Sequence, residues 1–239
     1  MKIKLNTEQR KSVFILSLIF ISFITTSQTC LNPSYKLNKL KSKGLTKDTI
    51  YNWVQKDLSF IQLTSHDTIA DIGSYNGYYP LLYSVSTDSI VFYLNDIVNT
   101  GFIYFDSIYT LCTKIRGSKI TNEFKIVMGE NDSTNLPSIT FNKIILRDAL
   151  HHFKSPVSML TDIKRIIKPN GKLILFESIK NSQVPNATLC KGSMTKDELV
   201  KLLGENGFTL TRQKFTENDR FWFEFKLSKV KNFKTVINK

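Results

Sequence analysis

Cysteine is scarce in this chain. Cys30, Cys112 and Cys190 are the only three among 239 residues, an odd number with no close pair and no metal-like spacing. Two of them could be joined in an exported protein, although Cys112 has the setting of a helix core residue. Acidic residues are also in short supply, 20 against 33 Lys and Arg, a formal charge of +13. A basic surface of this kind can sit near anionic lipid or nucleic acid. The chain carries no zinc module and no recognition helix, which argues against nucleic acid. Its lysines therefore read as solvated flanks, concentrated at Lys36, Lys39, Lys41, Lys43 and Lys47 and again at Lys229, Lys231, Lys234 and Lys239. Internal repeats and low-complexity tracts are absent. The length suffices for one good core and would cramp a second full domain.

Long apolar runs are missing too. The longest, Val13 to Ile24, is short of the roughly 20 residues that a membrane span needs. Lys2, Lys4, Arg10 and Lys11 precede it and Thr25-Thr26-Ser27-Gln28 follow, the order of an export signal, with an uncleaved anchor as the alternative. The expected division is a signal peptide or membrane anchor at 1–27, a basic connector and N-terminal helix forming a lid at 28–60, a main domain at 61–228 and a basic tail at 229–239. The domain is expected to be exported or held at a membrane surface, with a cytoplasm-facing domain as the other possibility.

Within the main domain, strands and helices alternate. Ile50, Trp53, Val54 and Leu58 recur at helical spacing. Strands are expected at Thr68–Ile72, Ile90–Leu94, Phe124–Met128, Phe141–Leu146 and Lys172–Phe176. Helices are expected at about Tyr79–Val85, Thr100–Ile115 and Val157–Ile167. The second of these should turn Ile103, Phe105, Ile108, Tyr109 and Cys112 inward. Pro169-Asn170-Gly171 reads as a turn before the fifth strand. Thr195 can cap a helix that ends near Gly207. Phe208–Lys214 and Phe221–Leu227 then alternate and lie close enough for an antiparallel hairpin. Five alternations argue for a doubly wound α/β sheet.

The richest segment is Asp71-Ile-Gly-Ser-Tyr-Asn-Gly77, where an apolar run ends in a carboxylate and the chain turns through two glycines. Such a turn, at the carboxyl end of a central strand, lets a nucleotide-like ligand approach the main chain. A dinucleotide fingerprint needs glycine at 73, 75 and 78; this chain has Gly73, Tyr75 and Tyr78. Hydride transfer is therefore disfavoured. Asp96, ending the second strand, can accept both hydroxyls of a ribose through its two oxygens, with Asn95 as the neighbouring alternative.

Together with Tyr93-Leu-Asn-Asp-Ile97, Val127-Met-Gly-Glu-Asn131, Leu146-Arg-Asp-Ala-Leu-His-His-Phe153 and Ile166-Ile-Lys-Pro-Asn-Gly-Lys-Leu-Ile-Leu-Phe176, that segment resembles the class I S-adenosylmethionine-dependent methyltransferases, from about Ile50 to Leu227. The resemblance implies a Rossmann-like seven-stranded mixed sheet closed by the C-terminal antiparallel hairpin, and S-adenosyl-L-methionine as cofactor. It implies that Asp71, Gly73 and Gly77 form the cofactor loop, with Tyr75 standing where the family usually has glycine. Asp96 would take the ribose, and Ile97, Glu130 and Asn131 would lie by the adenine. Arg147, Asp148 and His151 would line the methyl-transfer site, with Arg147 also binding the cofactor. A neutral His151 could take a proton from a hydroxyl or amine; His151 or His152 could equally cap the next helix. Two adjacent histidines without a third ligand make a poor metal site. The acceptor expected is a small or lipid-like molecule. A non-catalytic ligand-binding module on the same fold is the principal alternative.

Overall fold

A computed structural model describes residues 44–180, 192–216 and 219–229. The leader, most of the connector, residues 181–191 with Cys190, and all but the first residue of the basic tail lie outside the described residues. Among those described, no helix is long and apolar enough to cross a membrane.

Helix α1 (Lys47–Ile61) starts at Thr46, whose hydroxyl accepts the Thr49 N–H, and buries Ile50, Val54, Phe60 and Ile61. It is followed by β1 (Thr68–Ile72), α2 (Tyr78–Tyr83) and β2 (Val91–Asp96). A 3-10 turn at Asn99–Tyr104 leads into α3 (Phe105–Arg116), then come β3 (Glu123–Met128) and β4 (Phe141–Arg147). A second 3-10 turn at Leu150–His152 precedes α4 (Pro156–Ile166), β5 (Ile167–Ser178), α5 (Lys196–Glu205), β6 (Phe208–Phe215) and β7 (Arg220–Leu227). Thr195 and Glu198 form a reciprocal capping box at the start of α5.

The sheet is seven-stranded, in the order β3-β2-β1-β4-β5-β7-β6. Strands β1 to β5 pair in parallel, and β7 enters antiparallel between β5 and β6. Central strands read as continuous apolar runs because helices cover both of their faces: Ile69, Ala70, Ile72, Ile144, Leu146, Leu173 and Leu175 are all buried. Strand order reverses between β1 and β4. That is where an open α/β sheet leaves a crevice outside its carboxyl edge.

Two local expectations are corrected. Ile103 is 71% exposed rather than inward-facing, because residues 99–104 wind as a 3-10 turn and the helical phase begins only at Phe105. The Pro169-Asn170-Gly171 segment is not a turn ahead of the strand but lies inside β5. Pairing there slips from Phe141 opposite Ile167 to Lys143 opposite Lys172. Gly171 permits this, since a Cβ at that position would lie 2.6 Å from Ile167 Cγ1 and 2.9 Å from the Phe141 carbonyl oxygen.

Candidate functional site

The carboxyl edge of the sheet around β1 and β4 is built from three loops. Gly73 and Ser74 both donate their N–H groups to the Asn95 carbonyl oxygen, at 2.9 and 3.0 Å, and so tie the loop after β1 to the end of β2. Tyr75 donates its N–H to Asp96 Oδ2 at 2.8 Å, and Val98 donates to Asp96 Oδ1 at 3.1 Å. One carboxylate thus braces both loops. Each of its oxygens keeps a further lone pair, and the residue is half-buried. Asn95 is buried and spends its amide on the Val127 and Thr134 carbonyls, so of this pair only Asp96 is partly exposed.

The two glycines do different jobs. Gly73 (φ 76°) is exposed and touches the loop after β4: a Cβ there would come within 2.7 Å of Ala149 Cβ. Gly77 (φ 68°) is buried instead, and a Cβ would meet Leu94 at 2.7 Å and Phe105 at 3.2 Å. Its lack of a side chain serves the packing of β2 and α3 rather than an approaching ligand. Tyr75 takes the left-handed conformation itself (φ 55°), so the loop follows the path a glycine would give it. Its main chain and ring pack on Gly101, where a Cβ would lie 2.5 Å from the Tyr75 carbonyl oxygen. Asp71 is buried at the end of β1. Ile97 is 51% exposed and Met128 also lies open, giving an apolar rim beyond Asp96. Glu130 and Asn131 are exposed, and the Glu130 N–H is held by the Ser133 carbonyl at 2.6 Å.

The loop after β4 carries the other candidates. Asp148 (φ 49°) donates its N–H to the Phe176 carbonyl and faces Arg220 at 3.4 Å. Arg147 points elsewhere. Its guanidinium is ion-paired with Asp57 of α1 and donates to the Tyr83 hydroxyl at 2.9 Å. It lies over the rings of Tyr79 (3.8 Å), Phe176 (4.5 Å) and Trp222 (4.7 Å). Burial opposes its charge, but Tyr83 and Asp57 outweigh that and hold it a cation. Arg147 therefore anchors α1 on the sheet. Trp222 is fully buried against Phe60, a core residue.

His151 has a side chain only 3% exposed, with Nδ1 2.6 Å from Glu177 Oε2. Burial alone would depress its pKa, but the Glu177 hydrogen bond and charge, aided by Asp148, raise it above the ordinary histidine value. His152, 4.1 Å away ring to ring, is depressed by burial and by His151. Sequence reasoning missed Glu177, Asp57, Ser74 and Asn76. For Glu177 the signal was the same as for Asp96: a carboxylate that closes an apolar strand.

A ligand fits here on one further count. Ser74 Oγ and Asn76 Nδ2 in the loop after β1, and His151 Nε2 beyond β4, are buried without a hydrogen-bond partner among the described residues. Native folds seldom leave such atoms orphaned unless something else satisfies them. Two hydrogen-bonding side chains beside Gly73, a carboxylate with spare lone pairs and an apolar rim match the amino-acid, ribose and adenine parts of S-adenosylmethionine. No group of three or more metal-binding side chains occurs among the described residues.

Comparison with known proteins agrees with this fold. Residues 101–175 match a family described as "Methyltransferase domain". No curated protein matches the chain in sequence. Among solved structures, a SAM-dependent methyltransferase from Aquifex aeolicus is 19% identical with a TM-score of 0.59, over 82% of this chain and 98% of its own. An arsenic(III) S-adenosylmethionine methyltransferase from Chlamydomonas reinhardtii is 13% identical (TM-score 0.55), over 70% of this chain and 65% of its own. The [4+2]-cyclase SpnF is 17% identical (TM-score 0.54), over 68% of this chain and 58% of its own. The chain has the fold of a class I S-adenosylmethionine-dependent methyltransferase domain.

Proposed function

We propose that this domain binds S-adenosylmethionine in the β1/β4 crevice and transfers its methyl group to a small or lipid-like acceptor. The observation that carries the reading is the Asp96 carboxylate, fixed by the Tyr75 and Val98 N–H groups at the edge of a crevice whose other wall is Gly73 against Ala149. In this reading Asp96 holds the ribose hydroxyls, and Asp71, Ser74 and Asn76 bind the amino-acid end beside Gly73. Ile97 and Met128 cover the adenine, with Glu130 or Asn131 at its amine. Bound there, the cofactor supplies a methyl group on a sulfonium sulfur, and the bonding pair stays on sulfur when the methyl leaves. The protein's own task is then to align the acceptor, keep out water and receive a proton where the acceptor carries one. In this reading Asp148 and His151, on the loop that touches Gly73, do that work. The leader at 1–27 would put the domain at or across a membrane, which fractionation of cells expressing the full chain tests.

Calorimetric titration with S-adenosylmethionine and S-adenosylhomocysteine is the direct test. Micromolar binding of both supports the reading. A folded protein that gives neither heat nor a thermal shift would return the fold to a non-catalytic module for some other ligand.

A further inference from the structure

Strand β6 is the outermost strand on its side of the sheet and carries no acidic residue. Where it passes the end of α1 there is a cleft of about 190 Å³, lined by Ser59, Phe60, Arg212, Gln213 and Lys214. That is room for several water molecules, at about 30 Å³ each, or for one small headgroup. The Arg212 guanidinium lies 4.1 Å from the centre of the Phe60 ring and donates through one nitrogen to the Phe60 carbonyl and to Glu224 Oε2. Its Nε is buried and has no hydrogen-bond partner among the described residues. Glu224 is already engaged, its Oε2 also by Lys172 at 3.0 Å and its Oε1 by the Thr211 hydroxyl. Three cations in this corner, Arg212, Lys172 and Lys214, thus stand against one carboxylate.

The neighbouring residue, Phe215, is 56% exposed. Its ring lies edge-on to Phe221 at 5.1 Å, and Phe221 stacks in turn on buried Phe223 at 5.7 Å. An aromatic ladder therefore runs from the core out to the end of β6. Lys214 and Phe215 project to opposite faces of the strand, so a partner that meets both must lie along the free edge of β6. The only acidic residue in β6 and β7 is buried Glu224, while Arg212, Lys214, Arg220 and Lys226 are cations. Acids return in the turn, at Glu217 and Asp219, which leaves the cationic stretch to the strand edge.

Edge strands commonly carry cations and bulges that discourage pairing with other chains. Lys214 and the register shift between Leu210 and Arg212 serve that end. They do not account for an arginine stacked in a cleft with a buried, unanswered N–H, or for an outward phenyl ring beside it.

We propose that the free edge of β6, with the end of α1, is a docking surface for anionic phospholipid. A headgroup phosphate enters the cleft, accepts the Arg212 Nε–H and faces Lys214, while Phe215 enters the interfacial layer. Phosphate suits the cleft because its oxygens accept without donating and arginine offers them fixed N–H groups. A bilayer suits the wider surface because it presents anionic oxygens together with an apolar layer for a ring. Nucleic acid would meet the cations but needs stacking rings along them, and Phe215 stands on the opposite face from Arg212 and Lys214. The inference concerns this surface alone and does not depend on methyl transfer.

The test uses the full chain with vesicles of phosphatidylcholine, alone or mixed with phosphatidylglycerol, carrying brominated acyl chains. In Phe215→Trp an indole replaces the exposed ring, and its quenching by bromine reads docking of this surface whatever else in the chain binds lipid. Quenching should exceed that of the native Trp53 and Trp222, and should need about tenfold less lipid when phosphatidylglycerol is present at about 0.1 M salt. Adding Arg212→Lys, which keeps the charge but lacks Nε, should weaken that binding about fivefold or more, the loss of one charge-assisted hydrogen bond. Adding Lys214→Gln should weaken it about fivefold. Lys214 is exposed, so this variant reads the site even if Arg212→Lys fails to fold. Lys119→Gln, exposed ahead of β3 at the far side of the sheet, should change nothing.

No added quenching in Phe215→Trp with either vesicle overturns the proposal. So does a folded Arg212→Lys chain that docks like its parent, or an equal loss in Lys119→Gln, since diffuse charge would then suffice. Inorganic phosphate that shifts the Arg212 Nε–H NMR signal, with vesicles giving no quenching, would assign the cleft to a free phosphate instead. A single-stranded oligonucleotide that shifts that signal while vesicles do not quench would assign the surface to nucleic acid.

Discussion

The Asp96 carboxylate and the Tyr75 backbone N–H lie 2.8 Å apart, so the residue assigned to the ribose also sets the path of the loop that receives the rest of the ligand. Removing the carboxylate should therefore do double damage. Asp96→Ala is expected to weaken S-adenosylmethionine binding at least tenfold, about 1.4 kcal/mol. Asp96→Asn, which keeps one acceptor oxygen for Tyr75, should fall between the two. Equal calorimetric affinities for wild type and Asp96→Ala would remove the ribose from this position.

Gly73 meets two demands at once, a left-handed backbone and close approach to Ala149. Gly73→Ala is expected to cost about 2–3 kcal/mol, combining left-handed strain with overpacking. Adding Ala149→Gly should recover the steric part but not the backbone part. Urea denaturation of the two single variants and the double variant separates them.

Arg147 and Asp57 form a buried pair across 90 residues of sequence. Breaking such a pair from one side typically costs about 3–5 kcal/mol because the remaining charge is stranded. Arg147→Met and Asp57→Asn should each destabilise strongly and expose α1 to protease. Together they should cost less than their sum. An additive double-mutant cycle would show that the two charges do not act as a pair.

The Asp162 carboxylate gives the fold an acid-sensitive tie. Burial would raise its pKa, but the Thr134 N–H and hydroxyl and the Arg165 guanidinium outweigh that and hold it below the usual aspartate value. The folded state then binds fewer protons than the unfolded state over this range. The stabilisation is fully present above the ordinary aspartate value and is lost as pH falls through the lower folded one. Asp162→Asn should cost about 1–2 kcal/mol at pH 7. The gap between variant and wild type should close as pH drops below about 4. A gap that stayed constant down to pH 3 would contradict this account.

Much of the sheet could be read along the chain because central parallel strands are apolar without interruption. Thr68–Ile72 is a strand over those same residues, and Met159, Leu160, Ile163 and Ile166 face inward on α4 as their spacing requires. What misled was local chemistry under tertiary control. Pro169-Asn170-Gly171 has every mark of a turn, yet it lies inside β5, in the stretch where the register with β4 slips. Ile103 follows helical spacing, yet the chain there winds as a 3-10 turn over Tyr75.

The sequence alone determined the order of elements, the glycine turn after the first strand and the carboxylate that ends the second, because these depend on periodicity and on residues a few positions apart. Tertiary structure decided which side chains share a site. Arg147 ends β4 and His151 follows four residues later, but the first is drawn to α1 by Asp57 and the second is turned toward β5 by Glu177. A buried charge goes where its counter-charge lies, and that partner is fixed only when distant strands and helices come together.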